Sequence, residues 1–350
     1  MAGKTDPGNY FEDFALGQVF RHATPRTITD GDIALYIGLY GGRFAVQSSA
    51  EFAKSVGYVG QPVDDLLAFH IAFGKTVPEV SLNAVANLGY AEGIFGVPVY
   101  AGDTITTRSE VIGLKENSNG KTGVVYVRSI ATKQTGETVV DYKRWVMVNK
   151  KDAGTPPPEV SVPELKSAVD AADLMLPEGT DFGAYDSTLA GSGDLWGDYE
   201  VGEKIDHVDG TTVEDAEHML ATRLYQNTAK VHFNQFAQAQ GRFGKRLVYG
   251  GHVISIARAL SFNGLANAFC VAAINAGSHT NPIFAGDTVF AWSEVLDKAD
   301  CTGRDDLGAL RLRTVAAKDH PCADHPLKGD DGKYLPHVVL DLDYWVLMPR

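Results

Sequence analysis

Two tandem α+β units, each an antiparallel sheet wrapped around a central apolar helix, are what this sequence predicts. Three observations carry that expectation. The chain repeats itself once at a nearly constant spacing, each copy holds a strongly apolar helix, and each copy ends in runs of alternating, β-branched-rich residues. A length of 350 residues also exceeds what a single core usually fills.

The repeat sets the domain organisation. Phe14, Leu16, Gly17, Thr27, Ile28, Asp30, Leu39 and Tyr40 align with Tyr199, Val201, Gly202, Thr212, Val213, Asp215, Leu224 and Tyr225 at one offset of 185 (199 minus 14). Further on, Tyr100-Ala101-Gly102-Asp103-Thr104 matches Phe284-Ala285-Gly286-Asp287-Thr288, and Ser109-Glu110-Val111 matches Ser293-Glu294-Val295, at 184 (286 minus 102). The Trp145-Val146-Met147 run resembles Trp345-Val346-Leu347 at 200 (345 minus 145), so the second copy carries an insertion, placed at about His320 to Pro336. Between the copies, Asp152 to Asp194 holds Pro156-Pro157-Pro158 and many Gly, Ser and Asp residues, the composition of a surface connection. The expected units are residues 1–151, a linker at 152–194, and residues 195–350.

Within each copy the elements follow in the same order. Ile28 to Leu39 and Val213 to Leu224 are helix-like, each after a Thr able to cap the first turn. The apolar helices are Leu66 to Val77, ended by Pro78, and Val253 to Leu265. Strands are expected at Asp103 to Val111, Lys121 to Thr132 and Thr138 to Val148. Their counterparts are Val289 to Leu296, Ala309 to Ala316 and His337 to Leu347.

Composition excludes several function classes. No stretch approaches the roughly 20 apolar residues of a membrane span, and a net charge of −13 argues against nucleic-acid binding. Met1 to Asn9 lack the basic start and apolar middle of a secretory signal, so a cytoplasmic protein is expected. Cys270, Cys301 and Cys322 are odd in number and lack CxxC spacing, which predicts free thiols rather than a disulfide framework. His320-Pro321-Cys322-Ala323-Asp324-His325 has too few ligands at finger spacing to predict a metal site. Gly241-Arg242-Phe243-Gly244-Lys245 lacks the Walker spacing, and no Gly-x-Gly-x-x-Gly follows a strand. No metal and no cofactor are expected.

The second copy resembles the MaoC-like and R-specific enoyl-CoA hydratase family of double hotdog proteins. That family's signature is Gly-Asp-x-Asn-Pro-Leu-His, followed eighteen residues after the His by a Gly that starts the central helix. Here the stretch is Gln226-Asn227-Thr228-Ala229-Lys230-Val231-His232, with Gly250 in register (232 plus 18). The family's catalytic Asp is replaced by Asn227 and its Asn by Ala229. The first copy has Gly42 and Gln47 at the corresponding places, so the resemblance implies one active site per chain, with the first half accommodating the acyl group. More narrowly, Ala86-Asn87-Leu88-Gly89-Tyr90, Lys121-Thr122-Gly123-Val124-Val125-Tyr126 and Tyr249-Gly250-Gly251-His252 resemble the mesaconyl-CoA hydratases, also called β-methylmalyl-CoA dehydratases. The implied function is reversible hydration of a short branched dicarboxylic acyl-CoA, with coenzyme A as part of the substrate, and a homodimeric or higher homo-oligomeric assembly by analogy.

Such a reaction needs a base for water, an acid for the α-carbon and donors for the developing enolate oxygen. His232 is the expected base, since imidazole titrates near neutral pH. Gly250 would offer backbone N–H groups at a helix start to the thioester oxygen. Asn227 can hydrogen-bond and orient water but gives up no proton. The acid is therefore His232 again, or His252 or Tyr249 sharing the transfers. Arg43 and Arg223, flanking the two equivalent loops, are candidates for a substrate carboxylate. Lys230, Lys245 and Arg246 are candidates for coenzyme A phosphates. Asp103 and Asp287 recur in both copies and read as turn residues. Two rival functions remain: an acyl-CoA thioesterase on the same scaffold, disfavoured by the loss of Asp at 227, and a noncatalytic acyl-thioester-binding subunit.

Overall fold

The computed structural model describes residues 4–350; Met1 to Gly3, on which part of the leader reading rests, lie outside the described residues. Ten strands form one antiparallel sheet: β1 (Val19–Thr27), β2 (Ala84–Phe95), β3 (Thr104–Glu116), β4 (Thr122–Thr132), β5 (Thr138–Asn149), β6 (Lys204–Thr212), β7 (Cys270–His279), β8 (Thr288–Asp300), β9 (Leu307–Lys318) and β10 (Val338–Pro349). Their spatial order, β1-β3-β4-β5-β2-β7-β10-β9-β8-β6, is the same five-strand pattern twice, joined where β2 pairs with β7. The sheet curls around two buried helices, Asp65–Thr76 and Gly250–Leu260, whose apolar side chains fill the main core.

Four strands were not expected from the sequence, and their composition explains why. β2 and β7 are rich in Ala, Gly and Asn, which are poor strand formers taken alone. They lie at the middle of the sheet, where close neighbours demand small residues. A side chain at Gly89 would collide with Trp145, and one at Gly277 would press on Tyr90 and Leu342. β1 and β6 are polar edge strands, mostly exposed, each with a shift in register against its neighbour. β1 also carries Pro25, which an edge tolerates.

The helix ends also differ from expectation. Thr27 and Thr212 do not cap; they end strands and bond across the ladder to Thr104 at 2.7 Å and Thr288 at 2.9 Å. The helix Asp30–Tyr40 is capped by Thr29 with Asp32 returning the bond, while Asp215–Leu224 starts after Glu214 without a side-chain cap. Pro78 does not stop the chain's coiling. The α-helix gives way after Thr76 to a wider turn over Val77–Ser81, with Pro78 in its first turn, where a missing N–H costs little. The second central helix begins at Gly250 and ends at Leu260, so the expected Val253–Leu265 span is shifted toward its start.

The linker corrects the sequence reading most clearly, because it is packed rather than merely a surface connection. It crosses the outer face of the sheet with Val169, Leu174, Phe182 and Ala190 buried. Val169 donates its N–H to Asn275 (2.8 Å) and accepts from the Trp345 indole (3.0 Å), and Phe182 stacks on Phe269 with centroids 4.5 Å apart. The late insertion folds similarly over Trp292, whose indole donates to the Pro326 carbonyl at 3.0 Å. Replacing Phe182 by Ala removes the linker's main apolar anchor and should destabilise the protein by about 3 kcal/mol. A urea midpoint unchanged by Phe182→Ala would show that the strap contributes no packing.

Candidate active site

The site is built where the second central helix begins. Tyr249 stands in extended conformation before Gly250 and gives no side-chain cap; its carbonyl takes the His252 N–H at 2.9 Å, which leaves the Gly250 and Gly251 N–H groups available to a ligand. His232 sits on the single-turn helix Lys230–Phe233, with its ring centroid 5.5 Å from that of Tyr249. Its Nδ1 lies 2.8 Å from the Leu247 carbonyl, an acceptor only, which fixes the proton on Nδ1 and leaves Nε2 as a bare acceptor. Burial pulls its pKa down to about 4, against the opposing Leu247 bond. At neutral pH it is an uncharged base.

The loop carrying these groups rests on the first half of the chain. A Cβ at Gly74 would collide with the Tyr225 carbonyl and crowd the Asn227 amide, so the first central helix touches this loop backbone to backbone. Lys75 of that helix bonds the side chain of Gln226, which holds a left-handed φ of 53°. Asn227 is buried, and its Oδ1 accepts from the Ala229 N–H at 2.9 Å. Its carbonyl therefore shapes the loop; only the amide NH2 is free to meet a ligand, a narrower role than expected.

Around this point lies a shell of phenols and imidazoles from both halves. The repeat partners Tyr40 and Tyr225 meet hydroxyl to hydroxyl at 2.6 Å, and Tyr40 continues to His252 Nδ1 at 2.8 Å. His252 Nε2 and the Tyr249 hydroxyl are buried without partners. Burial lowers His252 to about 3 and raises Tyr249 well above its ordinary value. Neither loses or gains a proton readily in the resting protein.

Sequence reasoning missed two neighbours. The His279 ring occupies the space a side chain at 250 would need, so Gly250 must be glycine for this packing. His279 Nε2 is 3.4 Å from the Tyr90 hydroxyl, and burial followed by the nearby His232 lowers its pKa to about 4. His70 presses against Gly251 and bonds Ser255 at 3.1 Å, with a pKa pulled to about 3 by burial. A lone histidine at a strand end or within an apolar helix carries no spacing signal, so nothing in the sequence pointed to them.

The cation candidates are not gathered here. Arg43 is exposed and stacks over Phe262 at 4.4 Å, and Arg223 is exposed near the end of its helix. Lys230 is exposed, and Lys245 lies over the Phe284 ring at 4.3 Å. Arg246 is already committed to Asp215 at 2.5 Å, so its charge is largely used within the fold. Among the described residues no group of three or more His, Cys, Asp or Glu is placed to hold a metal ion, and no helix is long and apolar enough to cross a membrane.

A doubled sheet, two enclosed helices and a histidine beside a bare helix start define a MaoC-like double hotdog protein. Solved structures agree. A MaoC domain dehydratase from Chloroflexus aurantiacus superposes with a TM-score of 0.98 at 62% identity, covering 100% of this chain and 99% of that one. A double hotdog protein from Mycobacterium tuberculosis superposes at 0.75 with 25% identity, covering 98% and 99%. Residues 2–326 match the family model described as mesaconyl-CoA hydratase. The chain is 62% identical to the β-methylmalyl-CoA dehydratase of Chloroflexus aurantiacus over 350 residues (100% of this chain, 99% of that one). It is 60% identical to the mesaconyl-CoA hydratase of Cereibacter sphaeroides over 347 residues (99% and 100%). The chain belongs to the mesaconyl-CoA hydratase family.

Two outcomes follow from this geometry. Gly74→Ala should push the Tyr225–Asn227 loop off the first helix and cut turnover at least tenfold; full activity in that variant would mean the loop tolerates displacement. Burial also keeps His70, His232, His252 and His279 neutral, with pKa values of about 3, 4, 3 and 4 against 6.5 unfolded. Below pH 6.5 the unfolded chain binds protons first, so melting temperature should hold above that pH and fall as pH drops toward 4. His279→Gln should make the fall shallower, and an unaltered slope would mean His279 is not held neutral by the fold.

Proposed function

We propose that this protein catalyses the reversible hydration of mesaconyl-CoA to β-methylmalyl-CoA. The observation that carries the reading is the juxtaposition of the neutral His232, its Nε2 unbonded, with the uncapped start of the Gly250 helix. Its near-full-length relatives with that activity in their names support the choice of substrate.

The steps follow from those groups. The thioester carbonyl oxygen lies against the Gly250 N–H, where the positive helix end favours the charge that grows as water adds at the β-carbon. His232 Nε2 takes a proton from that water. The resulting imidazolium, in a site that favours the neutral form, then gives its proton to the α-carbon, so one residue serves both transfers. Asn227 supplies an amide donor and no proton, and Tyr249 and His252 stay in their resting protonation states. Lys230 and Lys245 are the cations left for coenzyme A phosphates, now that Arg246 is paired. No cofactor beyond the coenzyme A of the substrate is required by this chemistry. We also take the working form to be a cytoplasmic homodimer, on the free cysteines and the family resemblance.

The test is incubation with mesaconyl-CoA followed by mass measurement. Gain of one water supports hydration; loss of coenzyme A would indicate a thioesterase, and no change a binding subunit. His232→Ala should lower kcat by about 10²- to 10⁴-fold. Near-normal turnover in that variant would remove the base from the mechanism.

A further inference from the structure

We infer that Arg144, with Asn87, Tyr142 and Tyr249, forms the subsite for the distal carboxylate of a dicarboxylic acyl thioester. Arg144 projects inward from β5 and is buried to 1% exposure, with its guanidinium 4.3 Å over the Phe73 ring. All its hydrogen bonds go to neutral oxygens: Thr76 Oγ1 at 2.8 Å, Ser81 Oγ at 3.2 Å and Asn87 Oδ1 at 3.3 Å. Among the described residues no Asp or Glu forms an ion pair with it. A buried permanent cation is ordinarily matched by an anion, because desolvating it alone is costly.

The neighbourhood is also rich in donors that lack acceptors. Arg144 Nε, Asn87 Nδ2 and the hydroxyls of Tyr142 and Tyr249 are all buried without partners. Each of these atoms can donate, and a carboxylate, which only accepts, is the complement of such a set. The subsite is continuous with the catalytic groups. The Arg144 charge is felt at Tyr90, Tyr142 and Tyr249; Tyr249 packs on Phe73 at 5.8 Å and on His232 at 5.5 Å. Tyr90 in turn reaches the His279 that covers Gly250. A short acyl chain with its thioester oxygen at Gly250 and its far carboxylate at Arg144 would span this aromatic strip, whereas Arg43 and Arg223 stand in solvent.

This assignment rests on the hydratase reading for its substrate class, and a binding measurement separates the two. Wild-type protein and variants are titrated by calorimetry with succinyl-CoA and butyryl-CoA, which share chain length and differ in the distal carboxylate. Wild type should prefer succinyl-CoA. Arg144→Gln should weaken succinyl-CoA about ten- to hundredfold while leaving butyryl-CoA within about threefold. Because a buried Arg variant can misfold, Asn87→Asp is the second arm. It places a carboxylate beside the guanidinium, so it should raise the melting temperature while weakening succinyl-CoA selectively. Equal affinity of wild type for both ligands, or parallel losses for both in the variants, would overturn the subsite. Failure of wild type to hydrate mesaconyl-CoA while preferring succinyl-CoA would instead sink the reaction and leave the subsite standing.

Discussion

The antiparallel pairing of β2 with β7 is the constraint on which the site depends. The pairs Tyr90 with Gly277 and Ile94 with Ala273 join two five-strand sheets into one, and this fixes how the two central helices lie against each other. The seam admits few shapes. Gly93 lies under Ile274, and Gly277 under Tyr90 and Leu342, so larger residues would pry the halves apart. Because the seam holds, the first helix presents Gly74 and Lys75 to the loop that leads to His232, and Tyr90 reaches His279 beside Gly250. The candidate catalytic groups of the second copy are thus positioned by residues of the first.

The two copies diverge at one chemically decisive place. Subtracting 185 from 249, 250 and 232 gives Asp64, Asp65 and Gln47 in the first copy. Asp64 accepts from the Leu66 N–H at 2.9 Å, so a carboxylate already occupies the positive end of that helix, while the neighbouring Asp65 accepts from the Val271 N–H of β7 at 3.0 Å. Burial and the adjacent Asp64 raise Asp65 to about 7. Gln47 is spent on the Phe269 carbonyl. No enolate oxygen could be held there against those groups. The helix start at Gly250, with a glycine and an uncapped turn, is the one left open.

Legibility in the sequence followed the physics of each element. The repeat was readable because both halves use the same turns and the same buried pairs, down to Tyr40 meeting Tyr225. The strands β3, β4, β5 and their counterparts alternate and carry many β-branched residues, so a period of two stands out. β2 and β7 did not, since their small residues answer to neighbours that only the folded sheet supplies. His232 and Gly250 were singled out by their register with the family signature, and the fold brings both up to Tyr249. Arg144, His279 and His70 were not, because each is isolated in the sequence and meets the site only across the seam; Arg43 and Arg223 were preferred for lying close in sequence to the loop, which says nothing of where a side chain points.

The amide at 227 fits the electrostatics of this buried site. A buried carboxylate beside His232 would stabilise the imidazolium and raise its pKa, whereas an amide does not. With Asn227 the imidazole keeps a pKa of about 4 and waits as a free base, and the loop is still shaped by the Oδ1 bond to Ala229. The protein also withholds an anion from Arg144. Under the proposed reaction the substrate brings the missing negative charge itself, in the carboxylate attached to the carbon that water attacks. Binding would then neutralise the buried cation just as it sets that carbon beside the base, so the charge left unpaired in the fold becomes a means of selecting and aligning the acyl group.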